Sequence, residues 1–167
     1  FTAINKMRKP MNQTFLRRLI NLALVLAWLV LMLGAYTRLT DAGLGCPDWP
    51  GCYGHIVLPS EQQALSHAQQ SYPEIPIEQG KAWTEMAHRY LAGSLLTVIM
   101  AIILMLLTHR VYKGFVRPIY LLILMGLLAF QAALGMWTVT LKLLPQVVSG
   151  HLLGGFLIFS TLAMLRT

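Results

Sequence analysis

The chain has 167 residues, of which 56% are hydrophobic and only 11% charged, whereas a soluble domain carries roughly 25% charged residues. This balance excludes a water-soluble globule. Thirteen Lys and Arg against six Asp and Glu leave a formal charge of +7, but no base-reading or stacking motif accompanies it, so the charge reads as membrane topology and not as nucleic-acid binding. Two cysteines are too few for a disulfide-rich scaffold.

Residues 1–18 form a basic flank, with Lys6, Arg8, Lys9, Arg17 and Arg18, expected in the cytoplasm. Residues 19–167 are expected to be one membrane domain, with apolar runs at about 19–36, 90–107, 119–139 and 147–165, each near the roughly 20 residues needed to span. Backbone groups in hydrocarbon must be satisfied within the segment, so the runs are helices. The fold class is all-α, a polytopic four-helix transmembrane bundle. The first run lacks a small-x-small cleavage site and continues into Tyr36-Thr37-Arg38, which marks a retained helix. Arg110, Lys113 and Arg117 lie between the second and third runs and Arg166 follows the fourth, on the side of the basic flank. All six acidic residues, Asp41, Asp48, Glu61, Glu74, Glu78 and Glu85, lie in or beside the long connection at about 37–83, with Arg38 and Lys81. That connection faces outward.

The connection opens with Thr40-Asp41-Ala42-Gly43-Leu44-Gly45-Cys46-Pro47-Asp48-Trp49-Pro50-Gly51-Cys52-Tyr53-Gly54, where glycine permits positive φ and proline fixes φ. A compact cap over the bundle, with one short helix, is expected. Cys46 and Cys52 fall on the oxidising side, which favours a disulfide; free or metal-binding thiols are the alternative. His55 and His67 read as solvated.

His88 and His151 lie near the outer ends of the second and fourth runs, both about 6–10 Å below the surface at 1.5 Å per residue. Intramembrane ionisable residues point to function. Two imidazoles at one level on two helices can grip one metal, as in haem held between helices. Ala92, Gly93, Gly154 and Gly155 follow them and offer either a flat ligand a surface or neighbouring helices close approach. His109 reads as interfacial. Gln131, within the third run, reads as bonding a neighbouring helix in preference to lining a pocket. A short repeat, Leu33-Gly34-Ala35-Tyr36-Thr37 and Leu134-Gly135-Met136-Trp137-Thr138, suggests two related hairpins. Arg38 and Arg89 are candidates for binding haem propionates bidentately, with headgroup anchoring as the alternative. Glu85, three residues before His88, is a candidate catalytic carboxylate, with a helix-dipole role as the alternative.

Three segments together carry a resemblance. Thr37-Arg38-Leu39-Thr40 with Gly43-Leu44-Gly45-Cys46-Pro47-Asp48-Trp49-Pro50-Gly51-Cys52, then Glu85-Met86-Ala87-His88-Arg89, then Gly150-His151-Leu152-Leu153-Gly154-Gly155, resemble the first half of bacterial haem A synthase. The resemblance implies oxidation of a methyl group of haem O to the formyl group of haem A, for terminal oxidases. It implies axial ligation by His88 and His151, a role for Glu85, and outer-loop cysteines at 46 and 52. It also implies haem b in a second four-helix half, an electron donor, a haem O synthase as supplier, membrane lipid as surroundings, and residence in the bacterial inner membrane. The chain is thus expected to be a piece of a longer protein starting at Met7 or Met11; a natural half-size enzyme working as a homo-oligomer is the alternative. A cytochrome-b-like bis-histidine electron-transfer subunit is the competing function, and Glu85 and the capped loop speak against it.

Overall fold

The computed structural model describes residues 13–58, 62–108 and 118–166. Among these residues there are five helices: α1 (Gln13–Leu39), α2 (Gln62–Ser71), α3 (Gln79–Thr108), α4 (Pro118–Thr140) and α5 (Pro145–Arg166). All but α2 are long and apolar enough to cross a membrane, so the protein is a multi-pass membrane protein, and α2 is the short helix expected in the cap. Lys6, Met7, Arg8, Lys9 and Met11, together with Glu61, His109, Arg110, Lys113 and Arg117, lie outside the described residues.

The helices overrun their apolar runs. α1 begins at Gln13, inside the segment expected as a flank, and α3 begins at Gln79, so the connection ends earlier than residue 83. Helical hydrogen bonding continues through Gln79 to Glu85 because this stretch contains no proline and packs beneath the cap, where Ala82, Glu85 and Met86 are buried.

α1 packs against α3 and α5, α4 packs against α5, and α3 and α4 barely meet. The core is built from Leu16, Ile20, Ala23 and Ala27 of α1, Leu95, Ile99, Ile102 and Leu106 of α3, Leu121, Leu124 and Leu128 of α4, and Ile158 and Leu162 of α5. The alternating spacing of four and three keeps one stripe of each helix facing its neighbours. Ala23 and Ala27, both buried, let backbones approach closely. A second, smaller core of Cys46, Cys52, Tyr53, Leu58, Ala68, Ala82 and Met86 lies beneath the cap. α3 therefore serves two cores, one in the membrane and one in the cap.

The repeat seen in the sequence is also a repeat in backbone geometry. At the end of α1, Ala42 N–H donates to Thr37 O and Asp41 N–H to Arg38 O; at the end of α4, Leu143 N–H donates to Thr138 O and Lys142 N–H to Val139 O. These are two Schellman caps in the same register. Each places a non-glycine residue at positive φ, Asp41 at 51° and Lys142 at 49°, where glycine is the usual occupant. Replacing Lys142 by Gly should stabilise the bundle by about 0.5–1 kcal/mol, because the relief of left-handed strain outweighs the added freedom of the unfolded chain. Thermal unfolding in detergent measures this, and Lys142→Ala should give no such gain.

Candidate functional site

The membrane core continues toward the capped end as the histidine pair. On α3, His88 shares a face with Leu95 and Ile99, whereas Glu85 lies about 60° round the helix, on the stripe formed with Ala82, Met86 and Arg89. On α5, His151 continues the line of Ile158 and Leu162. Their ring centroids are 6.5 Å apart with planes at 81°. His88 lies nine positions after Gln79 and His151 six after Pro145, so the unequal starts of α3 and α5 are what let the rings meet at one level.

Glycine makes room for each ring. A Cβ at Gly34 would come within 2.9 Å of His88 Cε1, and one at Gly135 within 3.2 Å of His151 Cε1. These are the glycines of the short repeat, on α1 and α4, so each hairpin presents a glycine to its own histidine. Nδ1 of His88 and Nδ1 of His151 are buried without a hydrogen-bond partner. Such orphaned nitrogens suit a metal ligand. An imidazole nitrogen lies about 2 Å from a bound transition metal, so two imidazoles sharing one iron sit with ring centres several ångströms apart, as these do. The residues fit a haem iron.

Gly154 and Gly155 serve helix packing: a Cβ at 154 would collide with Gln131 Oε1, and one at 155 would meet Leu31 Cδ2 at 3.0 Å. Gln131 bonds the neighbouring helix as expected, its Nε2 donating to His151 O at 2.8 Å. Arg38 is exposed in the last turn of α1, one turn beyond Gly34, with Asp41 at 3.7 Å. His55 and His67 are exposed, as expected.

Cys46 and Cys52 form a disulfide, S–S 2.01 Å, and both are fully buried. The loop closes with Cys52 N–H donating to His55 O and His55 N–H to Cys52 O. Tyr53 and Gly54 between them have φ of 53° and 79°, the pattern of a type I′ turn. Tyr53 replaces the usual Asn or Gly there, and Asp48 braces the turn by accepting from the N–H groups of Tyr53 at 2.6 Å and Gly54 at 2.9 Å. Burial against the cap core pushes the Tyr53 phenol above its ordinary pKa, and the carboxylates of Glu85, Glu78 and Asp48 add to the rise.

Glu85 and Arg89 form a buried ion pair, their side chains 6% and 12% exposed. Glu85 Oε2 also accepts from Cys46 N–H at 2.9 Å, and Arg89 Nη1 donates to the carbonyl oxygens of Asp48 at 2.9 Å, Pro50 at 3.3 Å and Gly51. The pair thus reaches into the disulfide loop. Spacing along the chain could not reveal this contact, which joins residues about forty positions apart.

The family model for the COX15-CtaA cytochrome oxidase assembly proteins matches residues 17–167, and the chain belongs to this family. It is 55% identical over 148 residues to the protein named Heme A synthase in Shewanella oneidensis, covering 88% of this chain and 43% of that protein. It is 28% identical over 170 residues to that of Mesorhizobium japonicum, covering 93% and 46%, and 27% identical over 173 residues to that of Rhizobium rhizogenes, covering 92% and 46%. The chain spans less than half the length of these relatives. No solved structure matches it.

The glycine contacts predict an ordered pair of effects. Gly34→Ala should destabilise the protein by about 1–3 kcal/mol through overpacking against His88, and Gly135→Ala, with the looser contact, by less. Chemical unfolding in detergent compares the two.

Proposed function

We propose that this member of the cytochrome oxidase assembly family forms the substrate-handling half of a haem A synthase, oxidising a ring methyl of haem O to the formyl group of haem A. The observation that carries the reading is the histidine pair, two imidazoles with orphaned nitrogens meeting at 6.5 Å between the two hairpins. Relatives that bear the name Heme A synthase across this same stretch add to it. His88 and His151 would hold the haem iron. When bound, haem supplies the redox chemistry that an unactivated methyl needs and side chains lack.

The chain's own residues bind and orient. Arg38, exposed and one turn beyond Gly34 with Asp41 beside it, would pair with a propionate. Glu85, one turn toward the cap from His88, is the carboxylate that would accept a proton, and its oxygens are fixed by Arg89 and Cys46 N–H. The bilayer excludes water from the faces below. Haem b would belong to a second four-helix half or a partner chain, an electron donor would serve the reaction, and a haem O synthase would supply the substrate.

By position in the sequence, nine of the thirteen Lys and Arg residues, Lys6, Arg8, Lys9, Arg17, Arg18, Arg110, Lys113, Arg117 and Arg166, fall on the side of the N-terminus, against Arg38, Lys81, Arg89 and Lys142 on the capped side. This asymmetry supports a cytoplasmic N-terminus, in keeping with residence in the bacterial inner membrane. A bis-histidine electron carrier would use the same pair, but the relatives' name and the buried carboxylate beside it favour the synthase.

In the full-length protein, His88→Ala and His151→Ala should each alter the low-spin haem spectrum or remove the haem, because loss of one axial ligand opens a coordination position. Unchanged spectra in both variants would overturn the ligand assignment. Glu85→Gln should retain haem yet accumulate haem O in cells, and a wild-type yield of haem A would confine Glu85 to a structural role.

A further inference from the structure

We propose that Arg89 is a positioning residue: it pins the Cys46–Cys52 loop onto α3 and so holds the Glu85 carboxylate beside the histidine site. The second half of this statement rests on the haem A synthase reading; the first does not.

The loop is short of donors where it meets α3. Pro47 and Pro50 carry no N–H, and the N–H groups of Cys52, Tyr53 and Gly54 are spent inside the loop on His55 O and the Asp48 carboxylate. The carbonyl oxygens of Asp48, Pro50 and Gly51 turn instead toward one guanidinium, which also donates through Nη2 to Glu85 Oε1. The planar fork of an arginine presents its donors in fixed directions and can serve several acceptors at once. Glu85 completes the tie by accepting from Cys46 N–H.

The loop lies directly on the helix backbone. A Cβ at Gly45 would come within 2.6 Å of the carbonyl carbon of Lys81 and 2.7 Å of Ala82 N. Beneath it both cysteines are fully buried, with Cys46 Sγ 3.8 Å from Ala82 O. A reductant therefore reaches the disulfide only when the loop lifts from α3. With its donors engaged in the loop, Arg89 leaves propionate pairing to Arg38.

Loop opening is read by the rate at which a membrane-impermeant phosphine reduces the disulfide in the full-length protein, followed by thiol titration. Arg89→Gln should speed reduction by about tenfold or more, because a charge-assisted network guards the opening. Arg89→Lys should fall between, since one ammonium cannot span the same acceptors. Lys81→Gln, which removes an exposed pair with Glu78, should leave the rate unchanged. Should Arg89→Gln fail to accumulate, Glu85→Gln tests the same tie, because it removes the ion pair and keeps an acceptor for Cys46 N–H.

Turnover supplies the second readout. Arg89→Gln should lower the rate of haem A formation about tenfold with haem O affinity retained, and Arg89→Lys should recover part of it. An unchanged reduction rate in the Arg89 variants would overturn the pin. Faster reduction with wild-type turnover would overturn the positioning of Glu85, and loss of haem O affinity with an intact loop would make Arg89 a substrate ligand instead. The reduction assay needs no haem, so failure of the functional reading and failure of the pin are separable.

Discussion

Where helices approach closely, an imidazole seated between them needs a small residue opposite it. The bundle meets this need twice in the same way, with Gly34 against His88 and Gly135 against His151. Both glycines lie on the core-facing stripes of their helices, in line with Leu16, Ile20, Ala23 and Ala27 on α1 and Leu121, Leu124 and Leu128 on α4. The close approach that seats the apolar layers thus also brings two polar rings to face each other. Everything else about the site depends on that close packing, including the Gln131 bond that fixes α4 against the main chain at His151.

The cap poses a different electrostatic problem. Glu85 and Arg89 are nearly sealed from water, and a buried ion pair recovers its desolvation cost only when its remaining donors and acceptors are satisfied. The disulfide loop satisfies them with a main-chain N–H for the carboxylate and main-chain carbonyls for the guanidinium. The loop and the pair are mutually dependent: neither is well bonded without the other. Glu85, one turn above His88 and about 60° round the helix, stands between the two environments of α3, the cap stripe of Ala82, Met86 and Arg89 and the membrane stripe that begins at His88.

The four spans, the cap with its short helix, the disulfide, the histidine pair and the Gln131 bond were all legible in the sequence, because each follows from local composition, depth or compartment. The helix limits were not. α3 runs beyond its apolar stretch because burial beneath the cap extends it, and α1 begins at Gln13, where Leu16 joins the membrane core. Nor was the destination of Glu85 and Arg89 legible, since a helical offset of three or four names neighbours on one helix and says nothing of a loop folded back over it. Gly154 and Gly155 read equally as a ligand surface or a packing surface, and only the side chains of Gln131 and Leu31 decide for packing. Tyr53 at positive φ was hidden because the brace that permits it comes from Asp48, five residues earlier.

The matched caps at the ends of α1 and α4 have a consequence for how this architecture can vary. The same hydrogen-bond register closes both helices, yet the connections beyond the two caps differ greatly: residues 141–144 suffice to reach α5, while residues 40–78 hold a disulfide, a turn and α2 before α3 begins. The hairpin is indifferent to the size of the segment inserted after its cap. The two connections are therefore modular sites, where one hairpin keeps the minimal return and the other carries a separate small fold, and the membrane core need not be redesigned to exchange one for the other.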